Sequence, residues 1–426
     1  MTLPVIGFAG MTHLGLVSGV SAAEKGFNLI CYDADAARIA DLNQQKLPVS
    51  EPQLDDLVVK NKQKITFTAN IADLQKCDVV YVAPDVATDD QGQSDLTVIN
   101  ALLDAVFSAT RVDTVIVVLS QVPPGFTRVK QKEGRILFYQ VETLIFGRAV
   151  ERALYPERYI LGCADPSLPL PENFHIFLQA HECPLLPMRY ESAELAKISI
   201  NMCLVASVTT ANTLAELCES IGADWSEIVP ALKLDKRIGP YSYLAPGLGI
   251  AGGNLERDLA TVCNFADKHG TDSGVVRAWI ANSQRRKIWA VKIINKVLLN
   301  SNPLATIAVW GLAYKENTHS IKNSPSLATI LELPTTSLRL YDPEVSSSVV
   351  KNFKAIECES ALDAATGADA LMILTPWPEF KIVPVHKIAK KMTGNIVLDP
   401  FGVLDANSCV ENGIKQFVLG VPNSLN

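Results

Sequence analysis

The sequence lacks a Cys-x-x-Cys pair, a long basic run and a stretch approaching the roughly 20 consecutive apolar residues of a membrane span, and each absence excludes a class of protein. Nine cysteines stand scattered at 31, 77, 163, 183, 203, 218, 263, 358 and 409, most of them inside apolar runs. There a thiol packs as a small hydrophobe, which argues against structural zinc or any other metal site and for a reducing, cytoplasmic setting. Thirty-eight basic against 45 acidic residues leave a net charge of −7. With no basic patch to counter it, that charge speaks against nucleic acid or an anionic membrane as a partner, so an anionic ligand must be held by local groups. The opening Met1-Thr2-Leu3-Pro4-Val5-Ile6-Gly7-Phe8-Ala9-Gly10 has neither a basic leader nor a cleavage site, and the expectation is a soluble protein. What is present is 48% hydrophobic and 19% charged residues in a chain of 426. That describes a compact globular protein of roughly two to three domains.

Apolar run, glycine turn, helical stretch and second apolar run follow one another at the start: Pro4 to Phe8, Gly7-Phe8-Ala9-Gly10, His13 to Lys25, then Asn28 to Tyr32 ending at Asp33. The runs Asp78 to Ala83 and Thr114 to Leu119 are continuously apolar, as parallel strands covered on both faces must be. From Glu191 to Ile221 the spacing is helical, with no Pro or Gly before Gly222. Leu195, Ile198, Met202, Val205 and Leu214 are its expected inward positions, and a helix so long and apolar suggests a subunit interface. After Asn300 the opening pattern returns in Thr306 to Gly311, Ser337 to Asp342 and Ala368 to Thr375. The expected fold is α/β, two doubly wound Rossmann-like domains joined by a long central helix, with divisions at 1–190, 191–300 and 301–426.

Several segments carry chemistry or a plainer structural role. Gly10-Met11-Thr12-His13-Leu14-Gly15 would be a dinucleotide fingerprint but for Thr12 in the second glycine position. Asp33, about twenty residues on, suits an adenine ribose and repels a 2′-phosphate, favouring NAD over NADP; a bare structural turn is the alternative. Ser120-Gln121-Val122-Pro123-Pro124-Gly125 follows a strand, where open α/β sheets place ligands, or is simply a rigid turn. Glu142 lies in the apolar run Leu137 to Ile145, where a carboxylate is either paired or working. Lys197 and Asn201 share a helix face with Glu194; such a lysine can polarise a reacting oxygen or merely snorkel. Pro246 to Asn254 is glycine-dense and leads into Glu256-Arg257-Asp258, a loop able to wrap a sugar or phosphate or to act as a linker.

Taken in order, these segments resemble the UDP-glucose and GDP-mannose dehydrogenases, NAD-dependent enzymes that oxidise C6 of a nucleotide sugar. The resemblance covers nearly the whole chain. It rests on Asn43 to Leu54, Ser120 to Thr127, Leu154-Tyr155-Pro156-Glu157-Arg158, Glu191 to Asn201, Arg237-Ile238-Gly239, Pro246 to Asp258, Gly311-Leu312-Ala313-Tyr314-Lys315, Ser324-Pro325 and Tyr341-Asp342-Pro343. It implies NAD held by Gly10, Thr12, Leu14, Gly15, Asp33, Gln121 and Lys315. It further implies a nucleotide sugar held by Arg237, Gly247, Gly249, Gly253 and Lys322, while the length and apolar character of the central helix lead to the expectation of a homodimer built on it. Glu142, Lys197, Asn201 and Asp258 fall on residues that manage the reacting oxygen and water. The family oxidises twice, the second time through a cysteine thiohemiacetal, and here Asn254 stands where that cysteine belongs. Further departures are Gln121 for a threonine, Gln140-Val141 for Asn-Pro, Phe146 for a second glutamate, Arg257 for a lysine, Lys322 at an arginine position and Asp399-Pro400-Phe401-Gly402 for Asp-Gly-Arg-Asn. Two functional readings follow. One is a nucleotide-sugar dehydrogenase that stops at the aldehyde, or reaches the acid with Asn254 and Asn201 binding oxygen and Glu142 as base. The other is an impaired paralogue serving as a nucleotide-sugar or NAD binding or scaffold subunit.

Overall fold

The computed structural model describes residues 3–87, 89, 93–333, 337–350 and 354–422. It packs as two compact units, Met1–Ile200 and Asn201–Asn426. In the first, strands β1 (Ile6–Ala9), β2 (Leu29–Tyr32), β3 (Ile65–Thr68), β4 (Val79–Val82), β5 (Val115–Val118), β6 (Ile136–Gln140), β7 (Tyr159–Cys163) and β8 (Leu185–Arg189) form one sheet in the order β3-β2-β1-β4-β5-β6-β7-β8. All neighbours are parallel except β6 and β7. Every residue of β1, β2, β4 and β5 is buried, the outcome expected of continuous apolar runs. Side chains alternate between two apolar layers: Ile6, Phe8, Val79, Tyr81, Val115 and Val117 enter one, while Val80, Val82, Ile116 and Val118 enter the other.

The second unit contains strands β9 (Thr306–Trp310), β10 (Ser337–Tyr341), β11 (Lys354–Glu357), β12 (Ala370–Ile373), β13 (Ile396–Leu398) and β14 (Lys415–Phe417), ordered β11-β10-β9-β12-β13-β14 and wholly parallel. The first six strands of each unit therefore repeat one doubly wound order. The second-strand aspartate repeats as well. Asp33 Oδ2 accepts the Met11 N–H at 2.7 Å, and Asp342 Oδ2 accepts those of Leu312 at 2.6 Å and Ala313 at 3.0 Å. Each carboxylate ties the glycine turn after its unit's first strand to the end of the second strand.

The helical segment ahead of β9 packs with this sheet. Trp225 N–H donates to the Gly420 carbonyl at 2.9 Å, and Trp289 Nε1 to Glu219 at 3.0 Å. Arg286, only 1% exposed, lies 3.5 Å from Glu216 and 3.8 Å from Glu219. Burial draws the Arg286 guanidinium below its ordinary range and pushes the Glu219 carboxyl up, the signature of charges placed where only pairing makes ionisation tolerable.

The long helix runs from Tyr190 to Ile221. Ile198 and Val205 are buried as expected, but Leu195 and Leu214 are 48% and 40% exposed and are corrected to outward positions. The buried face carries the small residues Ala193, Ala211 and Ala215 beside Tyr190, Ile198, Val205, Thr209 and Cys218, and the two leucines lie off it. The helix is also long and apolar enough, by length and composition, to cross a membrane, which corrects the reading that no stretch approaches that length. Core helices meet the same criterion. This one carries the fully buried polar residues Glu194 and Asn212, both partnered by backbone of other elements, so protein surrounds them.

Candidate functional site

In the first unit the turn between β1 and the helix His13–Glu24 is shaped by two close approaches. Gly10 has φ +97°, and a Cβ there would meet the Pro84 nitrogen at 2.8 Å. A Cβ on Gly15 would sit 1.9 Å from the Gly10 carbonyl oxygen, so helix and strand can meet only through glycine. Thr12 needs no such freedom, since its backbone is extended at φ −86° and ψ −166°. The Leu14 side chain is buried in the apolar layer, so its backbone is the part left to face a cofactor. Asp33 is 6% exposed; besides Met11 it accepts the Asp35 N–H at 2.9 Å and pairs with Arg38 at 2.8 Å. A glycine turn opening a helix, with a carboxylate at the end of β2, fits the diphosphate and ribose of a dinucleotide.

Sequence reasoning missed three residues at this turn. His13 Nε2 lies 2.8 Å from Glu51, a 3% exposed carboxylate that also accepts the Gly147 and Ala149 N–H groups, and the His13 ring stacks on Phe146 at 4.2 Å. Asp85, after β4, touches the start of the helix. Signals for them existed: Glu51-Pro52 lies within a stretch that carried the resemblance, and Asp85 follows a buried strand, where sheets of this type place ligands.

Glu142 follows β6 and is paired. Its carboxylate is 2.7 Å from Lys197 Nζ, which also donates to the Glu142 carbonyl at 3.1 Å, and its other oxygen accepts the Leu144 N–H at 2.9 Å. The same carboxylate residue borders a cavity of about 50 Å³ lined also by Tyr81, Gln140, Arg152, Tyr159 and His181, room for one or more waters. Tyr81 donates to Gln140 at 2.8 Å within that lining, and burial lowers the His181 imidazole to about 4, so it stays neutral. Glu194, grouped by sequence with Lys197, turns elsewhere. Its carboxylate accepts the N–H groups of Gly125 at 2.6 Å and Thr127 at 2.8 Å, fixing the loop that carries half-buried Gln121, and burial pushes that carboxyl up.

In the second unit Asn201 Nδ2 donates to Asp258 at 2.5 Å, and Arg257 Nε donates to the other Asp258 oxygen at 3.2 Å; Asp258 is 1% exposed. The glycine loop is held open by backbone conformation, with Gly249 at φ +100° and Gly252 at φ +80°. A Cβ on Gly249 would meet the Ser283 carbonyl oxygen at 2.7 Å. Gly247 N–H donates to Asn212 at 2.8 Å, Gly252 packs beneath the Tyr314 ring, and Gly253 lies against the Lys322 side chain. Asn254 is exposed and opens the helix Asn254–His269. Lys315 lies in the loop after β9 with its ammonium 5.7 Å from the Tyr314 ring. The Arg237 side chain is 89% exposed and paired with Asp235 at 2.6 Å. No cysteine lies between Pro246 and Asp258, and Cys263, further along the same helix, is buried in an apolar cluster.

Comparison with known proteins gives a consistent answer. Residues 4–169 match the NAD binding domain of the UDP-glucose/GDP-mannose dehydrogenase family, residues 191–284 its central domain and residues 308–406 its UDP binding domain. UDP-glucose 6-dehydrogenase TuaD of Bacillus subtilis is 30% identical over 436 residues, covering 98% of this chain and 93% of that protein. UDP-glucose 6-dehydrogenase of Rickettsia conorii is 28% identical over 435 residues, covering 97% and 99%. Among solved structures, a UDP-glucose dehydrogenase from the archaeon Pyrobaculum islandicum superposes with a TM-score of 0.82 at 22% identity, covering 100% of this chain and 98% of its own. At that identity the superposition speaks for the fold.

Proposed function

The chain belongs to the UDP-glucose/GDP-mannose dehydrogenase family, and from that premise we propose that this NAD-dependent nucleotide-sugar dehydrogenase oxidises C6 of its sugar once and releases an aldehyde. One observation carries the proposal: Asn254 opens the helix Asn254–His269 where the resemblance places the thiol, and a carboxamide cannot form the covalent hemiacetal that a second oxidation of this kind requires. The nearest cysteine along that helix, Cys263, is buried among apolar side chains.

NAD supplies the hydride acceptor; hydride transfer needs orientation and no thiol. In the first unit, Gly10, Gly15, Asp33 and the backbone of Thr12 and Leu14 are the groups for holding it. Lys197, oriented by two contacts to Glu142, is the group for holding the substrate oxygen and the water that takes the alcohol proton. In the second unit, Asn201 and Asp258 are the hydrogen-bonding groups for substrate oxygen, with Asp258 held in place by Arg257. Gly247, Gly249, Gly253 and Lys322 line the loop proposed for the nucleotide sugar; Arg237 joins them only if it leaves Asp235.

The working division of the chain is 1–190 for NAD, 191–300 for the helical middle and 301–426 for the nucleotide, supported by where the three family matches fall. A cytoplasmic location and a homodimer through the long helix belong to the same proposal. All nine cysteines are free thiols, and Leu214, Leu217 and Ile221 form an exposed apolar stripe at helical spacing. Leu217→Glu should convert a dimer to monomer in sedimentation; an unchanged sedimentation coefficient refutes that interface.

The test is stoichiometry: NADH formed per nucleotide sugar consumed, with products weighed by mass spectrometry. One NADH and an aldehyde is expected, and Asn254→Cys should add acid and a second NADH. Two NADH and an acid from the unaltered protein would refute the aldehyde stop. NAD binding with no turnover on any nucleotide sugar would favour the binding or scaffold subunit.

A further inference from the structure

The start of the helix His13–Glu24 is already occupied by an anion, and the anion belongs to the chain itself. Asp85 Oδ2 accepts the His13 N–H at 3.0 Å, and Thr12 Oγ1 accepts the Asp85 N–H at 2.9 Å. The Thr12 side chain makes no hydrogen bond to its own helix, although it stands in the capping position, because its hydroxyl is turned to Asp85. Two bonds of opposite direction thus clasp the β1 turn to the loop after β4.

The clasp lies on the helix end that a dinucleotide's diphosphate takes in a doubly wound fold, where backbone N–H groups and the helix dipole favour negative charge. We propose that the Thr12–Asp85 clasp is a gate on the diphosphate position, one that NAD opens by displacing the Asp85 carboxylate and that sets how tightly NAD is held. Two anions cannot share one N–H donor. The helix cannot move aside: His13 is fixed by Glu51 at 2.8 Å and by the Phe146 ring at 4.2 Å, so its N–H stays where it is. The side that gives way is Asp85, which is exposed and is joined to the turn by this pair of bonds. Thr12, in place of a glycine, supplies the hydroxyl that anchors the loop, so the two residues form a single device. Its consequence is a cofactor site that fills only when NAD is abundant and empties readily after the hydride has been transferred.

The inference rests on NAD as the cofactor, and the experiment separates the two claims. Dissociation constants of NAD, ADP and adenosine are measured by calorimetry for the intact protein, Asp85→Asn and Thr12→Gly. Asp85→Asn keeps size and an acceptor oxygen while removing the charge. It should tighten NAD and ADP about two- to fivefold, the range one exposed anion at a helix N-terminus is worth, and leave adenosine, which has no phosphate, unchanged. Thr12→Gly should tighten NAD in the same direction, and the gain in Asp85→Asn should shrink between 0.05 and 0.5 M salt as like-charge repulsion is screened. NAD bound with equal or weaker affinity by Asp85→Asn overturns the gate alone. So does an equal gain for adenosine, which would mark a general loosening of the domain. Failure of all three proteins to bind NAD or ADP overturns the cofactor and the gate together.

Discussion

Replacing Lys197 with methionine keeps the length and removes the charge, leaving Glu142 without its cation. Both side chains are mostly enclosed, 14% and 17% exposed, and the pair closes at 2.7 Å. Breaking a fully buried pair costs about 3–5 kcal/mol, whereas an exposed one is worth about 0–1 kcal/mol. Glu142 retains the Leu144 N–H at 2.9 Å and some access to water, which places the loss at about 2 kcal/mol. For a unit of this size that lowers its Tm by roughly 4–8 °C. Glu142→Gln, whose carbonyl still accepts from the lysine, should cost less, about 1 kcal/mol. The double variant should be more stable than the two losses added, with a coupling of about 1–2 kcal/mol. Urea unfolding of the four proteins supplies the cycle, and NADH formation supplies the function, expected to fall at least a hundredfold in Lys197→Met. Coupling under about 0.3 kcal/mol would mean the pair is not what holds Glu142. Undiminished turnover in Lys197→Met would remove the lysine from the chemistry.

Gly15→Ala forces a Cβ to within 1.9 Å of the Gly10 carbonyl oxygen and should destabilise the first unit by about 3 kcal/mol with loss of NAD binding; a soluble variant of unchanged Tm and affinity would contradict the close approach. Asp33→Ser removes the carboxylate that repels a 2′-phosphate and releases Arg38, so the NADP-to-NAD ratio of Kd should move at least tenfold towards NADP, as competitive binding would show. His181, lowered to about 4 by burial, is neutral when folded, whereas the unfolded chain takes up a proton near pH 6.5. Its contribution is therefore complete above pH 6.5 and is lost as pH falls towards 4, by roughly 3 kcal/mol in all. His181→Leu should flatten that part of the stability profile, and an unaltered slope in urea titrations at several pH values would assign the acid sensitivity to other groups.

Several features of this protein were legible in one dimension because they depend on neighbours in sequence. Continuous apolar runs at Val79–Val82 and Val115–Val118 announce strands covered on both faces, and such strands are indeed wholly buried. The glycines at 10 and 15 announce a turn that a side chain would block, and the return of the pattern after Asn300 announces a second sheet of the same strand order. Several motifs in sequence carried the family resemblance, and the absence of a thiol in the Pro246–Asp258 loop can be read directly. Burial of the helix faces was less legible. A helix in contact with several elements has no single apolar stripe, so spacing alone puts Leu195 and Leu214 inward although both lie outside the buried face.

Pairings between distant residues belong to the tertiary structure. Glu142 meets Lys197 across 55 positions, Asp85 meets His13 across 72, and Arg286 finds Glu216 across 70. Each depends on which loops and helices the fold brings together, and a charge in the sequence carries no mark of the partner it will meet. Composition and local period determined that two doubly wound layers would form and where their glycine turns would lie. Only packing decided which carboxylate faces the lysine, which one meets the start of the helix His13–Glu24, and which arginine is sealed inside, and for the buried groups the cost of desolvating a charge limits the choice.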